Sequence, residues 1–209
     1  MKFSKDEKEF LAFIYDKNEK YDYIDESICE HAARFGFLNV FKYLYKLGYK
    51  FSLNIKSIAI ENDNAHILIF LNTHKCSLHM DYEIGYAVRC GSLNCISYMC
   101  EHDYPVTPNL YFMMDKNANI ECLKLLHYYH CPLSMNVSIY AAKCGRIDWL
   151  EYLNIYGYVP NEQTCLSAIQ NGHINCLSYL LYNGCPYNEE ISSLIFNRGY
   201  QECFKYINK

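Results

Sequence analysis

Apolar residues recur along this chain at helical spacing and in register from one segment to the next. One column contains Leu38, Ala65, Leu93, Ile120, Ile147, Ile174 and Gln201. Three residues on stand Phe41, Leu68, Ile96, Leu123, Leu150, Leu177 and Phe204, and three further on stand Leu44, Leu71, Met99, Leu126, Leu153, Leu180 and Ile207. Steps of three residues share one helical face, so each segment predicts a short helix whose apolar side is completed by its neighbours. Val40, Ile67, Cys95, Cys122, Trp149, Cys176 and Cys203 widen that face. Trp149 stands apart by volume. It reads as filling an irregular junction, with a partner-binding anchor as the alternative.

Each of these helices follows a turn at Gly36, Asp63, Gly91, Ala118, Gly145, Gly172 or Gly199, spaced by 27 residues with one interval of 28. Glycine, and to a lesser degree aspartate, tolerates positive φ. At the fourth turn Asn117 is expected to take that conformation in place of Ala118. Four residues before the turns lie Ala32, Ala59, Ala87, Met114, Ala141, Ala168 and Ile195, mostly small enough for a first set of helices to approach closely. Helix starts are expected at Asp25, Ser52, Met80, Thr107, Ser134, Asn161 and Asn188, with Asp81 replacing Met80 as the capping side chain. Gly48, Lys75, Asp103, His130, Gly157 and Gly184 follow the second helices, and the glycines suit a left-handed helix end. Ser4 and Glu7 have capping-box spacing ahead of Phe10, Leu11, Phe13 and Ile14. Residues 1–22 are therefore read as a helical cap and 23–209 as the repeat region, its final repeat closing the carboxyl end.

The 209 residues carry a formal charge of -4, which gives no broad attraction to nucleic acid or acidic membranes. Lys42, Lys46 and Lys50 form a short basic stripe that later repeats do not continue. Neither a nucleic-acid nor a membrane partner is expected. Twelve cysteines would suit a secreted disulfide scaffold, but MKFSKDEKEF lacks the apolar core of a signal peptide. Several cysteines occupy repeat positions, so a reducing intracellular compartment, cytoplasmic in the simplest case, is the expected setting.

Cys90, Cys95 and Cys100 recur at five-residue steps without the paired spacing of a zinc site. His127, His130 and Cys131 are close in sequence but lack a completing ligand, and His173 is placed to bond a neighbouring repeat. Phosphate-binding glycine motifs are absent from the sequence. No catalytic, cofactor or metal residue is assigned, and the chain is read as not an enzyme. The competing readings are a cysteine–histidine enzyme and a self-associating structural protein; oligomeric state stays open.

The segments AAKCGRIDWLEYL and AIQNGHINCLSYLLYNG resemble ankyrin repeats. The resemblance runs over roughly 23–209, with 59–72 and 111–118 more divergent, and the cysteine- and tyrosine-rich GCP form is similar to ankyrin-like proteins of large DNA viruses. An ordinary ankyrin unit has about 33 residues. The 27-residue spacing and the absent T-P-L-H signature therefore imply reduced or missing β-hairpin fingers. The resemblance implies an all-α, ankyrin-like α-solenoid of about seven short helix-turn-helix repeats that binds a protein without catalysis. For a viral chain that partner is a host protein, in the host cytoplasm. The positions expected to face outward from the first helices are Glu30, Lys56, Glu83, Ser138 and Gln163, with Tyr111 and Tyr140 adding larger contact area.

Overall fold

The computed structural model describes residues 3–18, 27–75 and 82–207. Among them every regular element is helical and there is no strand. The chain forms two compact units, Met1–Pro105 and Val106–Lys209.

The first unit contains α1 (Lys5–Asn18), α2 (Ser27–Arg34), α3 (Leu38–Lys46), α4 (Ile55–Glu61), α5 (Ala65–Thr73), α6 (Glu83–Cys90) and α7 (Leu93–Glu101). Helices pair as α2 with α3, α4 with α5 and α6 with α7. Between pairs, α2 packs on α4 and α4 on α6, while α3 packs on α5 and α5 on α7. The repeated apolar columns fill the space between them. Phe41, Leu44, Leu68, Leu71, Ile96 and Met99 are all buried. Ala32, Ala59 and Ala87 are fully buried on the first helices, where a methyl group permits close approach. α1 covers α3 through the expected capping box: Ser4 N donates to Glu7 Oε2 at 2.8 Å and Glu7 N to Ser4 Oγ at 3.1 Å. The same carboxylate accepts from Asn39 N and Asn39 Nδ2, at 3.0 and 3.2 Å. Burial raises the Glu7 pKa, but the bonds from Ser4 and Asn39 outweigh it and hold the carboxyl below its ordinary value.

The second unit contains a 3-10 helix (Pro108–Met113), α8 (Ile120–Tyr128), α9 (Met135–Cys144), α10 (Ile147–Ile155), α11 (Glu162–Gln170), α12 (Ile174–Tyr182), α13 (Glu189–Asn197), a 3-10 turn (Gln201–Cys203) and α14 (Phe204–Ile207). α9 packs between the 3-10 helix and α11, and α11 packs on α13; α10 lies between α8 and α12. Leu123, Leu150 and Leu177 are buried on three successive second helices, as the column pattern requires. Trp149 is fully buried, with the Arg146 guanidinium 4.8 Å from its ring centroid, so its ring fills the interior.

Two expectations about backbone need correction. Positive φ occurs at Gly36, Asp63, Gly91, Gly145, Gly172 and Gly199, but neither Ala118 nor Asn117 adopts it. The fourth segment takes another route: its first helix is 3-10, and Asp115 Oδ1 accepts from Asn117 N at 2.8 Å to close the turn. Met114 occupies the alanine position and is buried, so the segment must accommodate a larger side chain there. Second, side-chain caps form at Asn161 and Asn188 but not at Thr107 or Ser134, and α4 starts after Asn54 rather than Ser52. Asn119 is an additional cap, accepting from Glu121 N at 3.1 Å. The expected starts at Asp25, Met80 and Asp81 lie outside the described residues. The glycine exits at Gly48, Gly157 and Gly184 are left-handed as expected, and Lys75, Asp103 and His130 adopt the same conformation.

Candidate functional site

Several inner polar residues of each unit join neighbouring repeats. At four turns the following residue reaches back to carbonyls at or just beyond the end of the preceding first helix. Asn64 Nδ2 donates to Ala33 O at 2.8 Å and Arg34 O at 2.9 Å, Ser92 Oγ donates to Ile60 O, and Arg146 Nη1 donates to Lys116 O and Ala118 O. His173 Nε2 lies 3.0 Å from Lys143 O, the bond expected at that histidine; a carbonyl partner places the proton on Nε2. The bonds from Asn64, Ser92 and His173 satisfy helix-end carbonyls that have no partner within their own helix, and Arg146 does the same for turn carbonyls. The close approach also explains two glycines. A Cβ at Gly36 would stand 2.6 Å from Asn64 Oδ1, and one at Gly145 would stand 2.7 Å from His173 Nδ1.

The outward face expected on the first helices is largely turned inward. Lys56, Glu83, Tyr111 and Ser138 are buried, Glu30 and Tyr140 are half-buried, and Gln163 is exposed. Lys56 Nζ and Glu83 Oε1 form an ion pair of 2.6 Å between α4 and α6. Glu83 Oε2 accepts from Tyr104 Oη at 2.9 Å, and Asn72 Nδ2 donates to Tyr104 Oη at 3.2 Å. Burial first, then the bond to Glu83, pushes the Tyr104 phenol up. Tyr111 Oη donates to Cys131 O at 2.9 Å, and Tyr140 Oη to Met114 O at 3.0 Å. The reason is geometric: stacking along the first helices covers the side that polarity alone marks as wet.

The scattered cysteines and histidines have separate environments. His127 Nδ1 lies 2.8 Å from Tyr152 Oη, whereas Cys131 Sγ donates to Thr107 O at 3.3 Å. Cys95 is fully buried, and burial with the adjacent Asp63 carboxylate pushes its thiol up to about 12. Among the described residues, no group of three or more His, Cys, Asp or Glu side chains is arranged to hold a metal ion. No helix there is long and apolar enough to cross a membrane.

The exposed feature that repeats is on the second unit. α8, α10 and α12 end at Tyr128, Ile155 and Tyr182, which are 75%, 78% and 67% exposed. They occupy one repeat column on successive packed helices, so they line one edge. The corresponding residues of the first unit are Lys46, Thr73 and Glu101, all hydrophilic. Neighbouring rings hold the edge in place. Tyr156 lies 4.6 Å from His127 and 4.7 Å from Tyr152 between ring centroids, Tyr129 lies 5.2 Å from Tyr128, and Tyr206 lies 5.9 Å from Tyr182. Burial, followed by bonding to Tyr156, pushes the Tyr152 phenol up to about 12, so it stays neutral at physiological pH.

No family profile matches the chain, and no curated protein or solved structure is significantly similar to it.

Sequence reasoning missed this edge because it looked for variable polar positions on first helices. The available signal was the column Tyr128, Ile155, Tyr182, whose large apolar members fall at helix ends outside the buried face. Rigid aromatic and aliphatic side chains in a row offer apolar contact area at low ordering cost, with phenolic hydroxyls for hydrogen bonding at the rim.

Proposed function

We propose that the chain is a noncatalytic, ankyrin-like protein-binding scaffold whose contact surface is the Tyr128–Ile155–Tyr182 edge of its second unit. The observation that carries this reading is the registered exposure of three large apolar residues at the ends of successive helices. Isolated exposed apolar residues are ordinary on protein surfaces, whereas contiguous ones mark contacts. The ankyrin-like resemblance supports the same role, and its viral form makes a host protein the partner. Gln163 stays accessible for partner selection, whereas Lys56 and Glu83 hold two repeats together and Tyr111 and Ser138 are buried.

The test compares wild type with the triple variant Tyr128→Ser, Ile155→Ser, Tyr182→Ser. A partner recovered with wild type is identified, purified and titrated against both proteins, with circular dichroism establishing that the variant is folded. Two strongly contributing anchors at about 2 kcal/mol each predict a loss of roughly 10³-fold in affinity. Unchanged affinity would remove the edge from the binding surface. If wild type instead doubles in mass with concentration and the variant does not, the edge serves self-association.

A further inference from the structure

After α7 and α8 the exit residue packs near a residue of the preceding first helix, and the chemistry of the two pairings differs. Tyr104 meets Glu83, and Cys131 presents its carbonyl to Tyr111. At the corresponding place on α11 and after α12, both residues are cysteines. Cys165 Sγ and Cys185 Sγ lie 3.0 Å apart. The stacking itself does not demand thiols: the column of Cys165 holds Tyr111 and Ser138, and that of Cys185 holds Tyr158.

Cys165 is fully buried, while Cys185 is 4% exposed and forms part of a surface groove of about 450 Å³. Pro186, Tyr182, Tyr187 and Tyr206 form its walls with Cys185. One residue of the pair therefore lines a space large enough for a small molecule, and the other is fully buried beside it. We propose that Cys165 and Cys185 are a peroxide-oxidisable dithiol, entered at Cys185 from this groove and closing as a disulfide between α11 and the exit of α12.

The order of attack follows from the surroundings. The Cys165 S–H points at Cys185 Sγ, which favours ionisation of Cys185 and pushes the Cys165 thiol up, burial adding to the latter effect. Cys185 Sγ also lies 3.2 Å from Asn161 O. That carbonyl already accepts from Thr164 N at 2.9 Å, so a Cys185 thiolate leaves it with a partner. The Cys185 sulfur attacks one oxygen of hydrogen peroxide; the O–O bond breaks, giving a sulfenic acid and one water. The Cys165 sulfur then attacks the Cys185 sulfur, the S–O bond breaks, and the departing hydroxide takes the Cys165 proton as a second water. Two thiols are oxidised by two electrons, and one peroxide is reduced to two waters. Closing the bond brings the sulfurs from 3.0 Å to about 2.05 Å, an approach of about 1 Å.

The experiment treats the full, freshly reduced chain with hydrogen peroxide, quenches it by alkylation and maps peptides without reductant. The expected product is a Cys165–Cys185 cross-link with the mass of the linked peptides lowered by about 2 Da, reversed by dithiothreitol. In Cys165→Ser, dimedone should trap a sulfenic acid at Cys185; in Cys185→Ser, Cys165 should remain alkylatable after unfolding. Should either serine variant fail to fold, the wild-type map still decides. The proposal is overturned if wild-type Cys165 and Cys185 both remain reduced at peroxide exposures that oxidise the exposed Cys90. Cross-linking of Cys185 to a cysteine other than Cys165 overturns it equally.

Discussion

Replacing Lys56 by methionine removes the cation of a pair whose side chains are only 6% and 4% exposed, and leaves Glu83 with Tyr104 as its partner. Breaking such a pair by deleting one member costs about 3–5 kcal/mol, because the remaining charge is held away from water. Glu83→Leu should cost a similar amount through the stranded ammonium. The double variant Lys56→Met, Glu83→Leu leaves no buried charge, and Tyr104 Oη still accepts from Asn72 Nδ2. It should therefore cost about 0–2 kcal/mol, far less than the sum of the single changes. Amide hydrogen exchange at neutral pH, resolved to peptides from α4 and α6, reads this locally. Opening should increase by roughly two to three and a half orders of magnitude in each single variant and return most of the way in the double. If Lys56→Met unfolds the unit outright, regained helicity in the double variant reports the same coupling. Additive single effects, or a Lys56→Met cost below about 1 kcal/mol, would refute the assignment of this pair as a charge-matched contact between repeats.

Two glycines with similar φ separate conformational strain from crowding. Gly145→Ala should lower stability by about 2–3 kcal/mol, since it adds displacement of His173 to the left-handed penalty, whereas Gly157→Ala, with no atom within 4 Å of the added Cβ, should cost about 1–2 kcal/mol in urea unfolding. Asp63 and Asp103 form a second comparison, because both have positive φ. The Asp63 carboxylate accepts from Asn94 N at 3.2 Å and Cys95 N at 3.0 Å at the start of α7, so Asp63→Gly should destabilise by about 1 kcal/mol while Asp103→Gly stabilises by up to about 1 kcal/mol in thermal melts. Glu7 has a folded-state pKa below its ordinary 4.5, so its contribution is fully present above that value and is lost as pH falls through the folded pKa. Proteolysis within α1 should accelerate over that acidic window in wild type, and Glu7→Gln should show the faster cleavage already at neutral pH.

The helix pairs were legible because burial at the columns depends on side-chain size and spacing alone. Leu123, Leu150 and Leu177 lie where the three-residue steps place them, and Asn161 and Asn188 cap as their amide side chains permit. The outward face was not legible on the first helices. Lys56 and Glu83 read separately as wet residues, but residues 27 apart become neighbours once α4 and α6 stack, and opposite charges then remove each other's need for water. Residue type also failed to determine capping at Ser134 and Thr107, where the hydroxyls make no cap bond to the helix start. In the fourth segment Pro108 opens a 3-10 helix where its neighbours have an α-helix, so local backbone geometry departs from theirs even though the period does not. The exposed row on α8, α10 and α12 was present in the same columns but required knowing which end of each helix reached the surface.

At four of the turns the following residue donates to a carbonyl of the segment before it, and asparagine, serine, arginine and histidine each perform that task. A carbonyl accepts any of them, so these joints are interchangeable in kind although each differs in sequence. Insertions or losses in whole multiples of the period hand every donor a fresh acceptor; those of other lengths misalign donor, acceptor and apolar stripe together. Evolution or engineering of such an array is thereby confined to discrete changes of length, while the identity of each joint is free to drift.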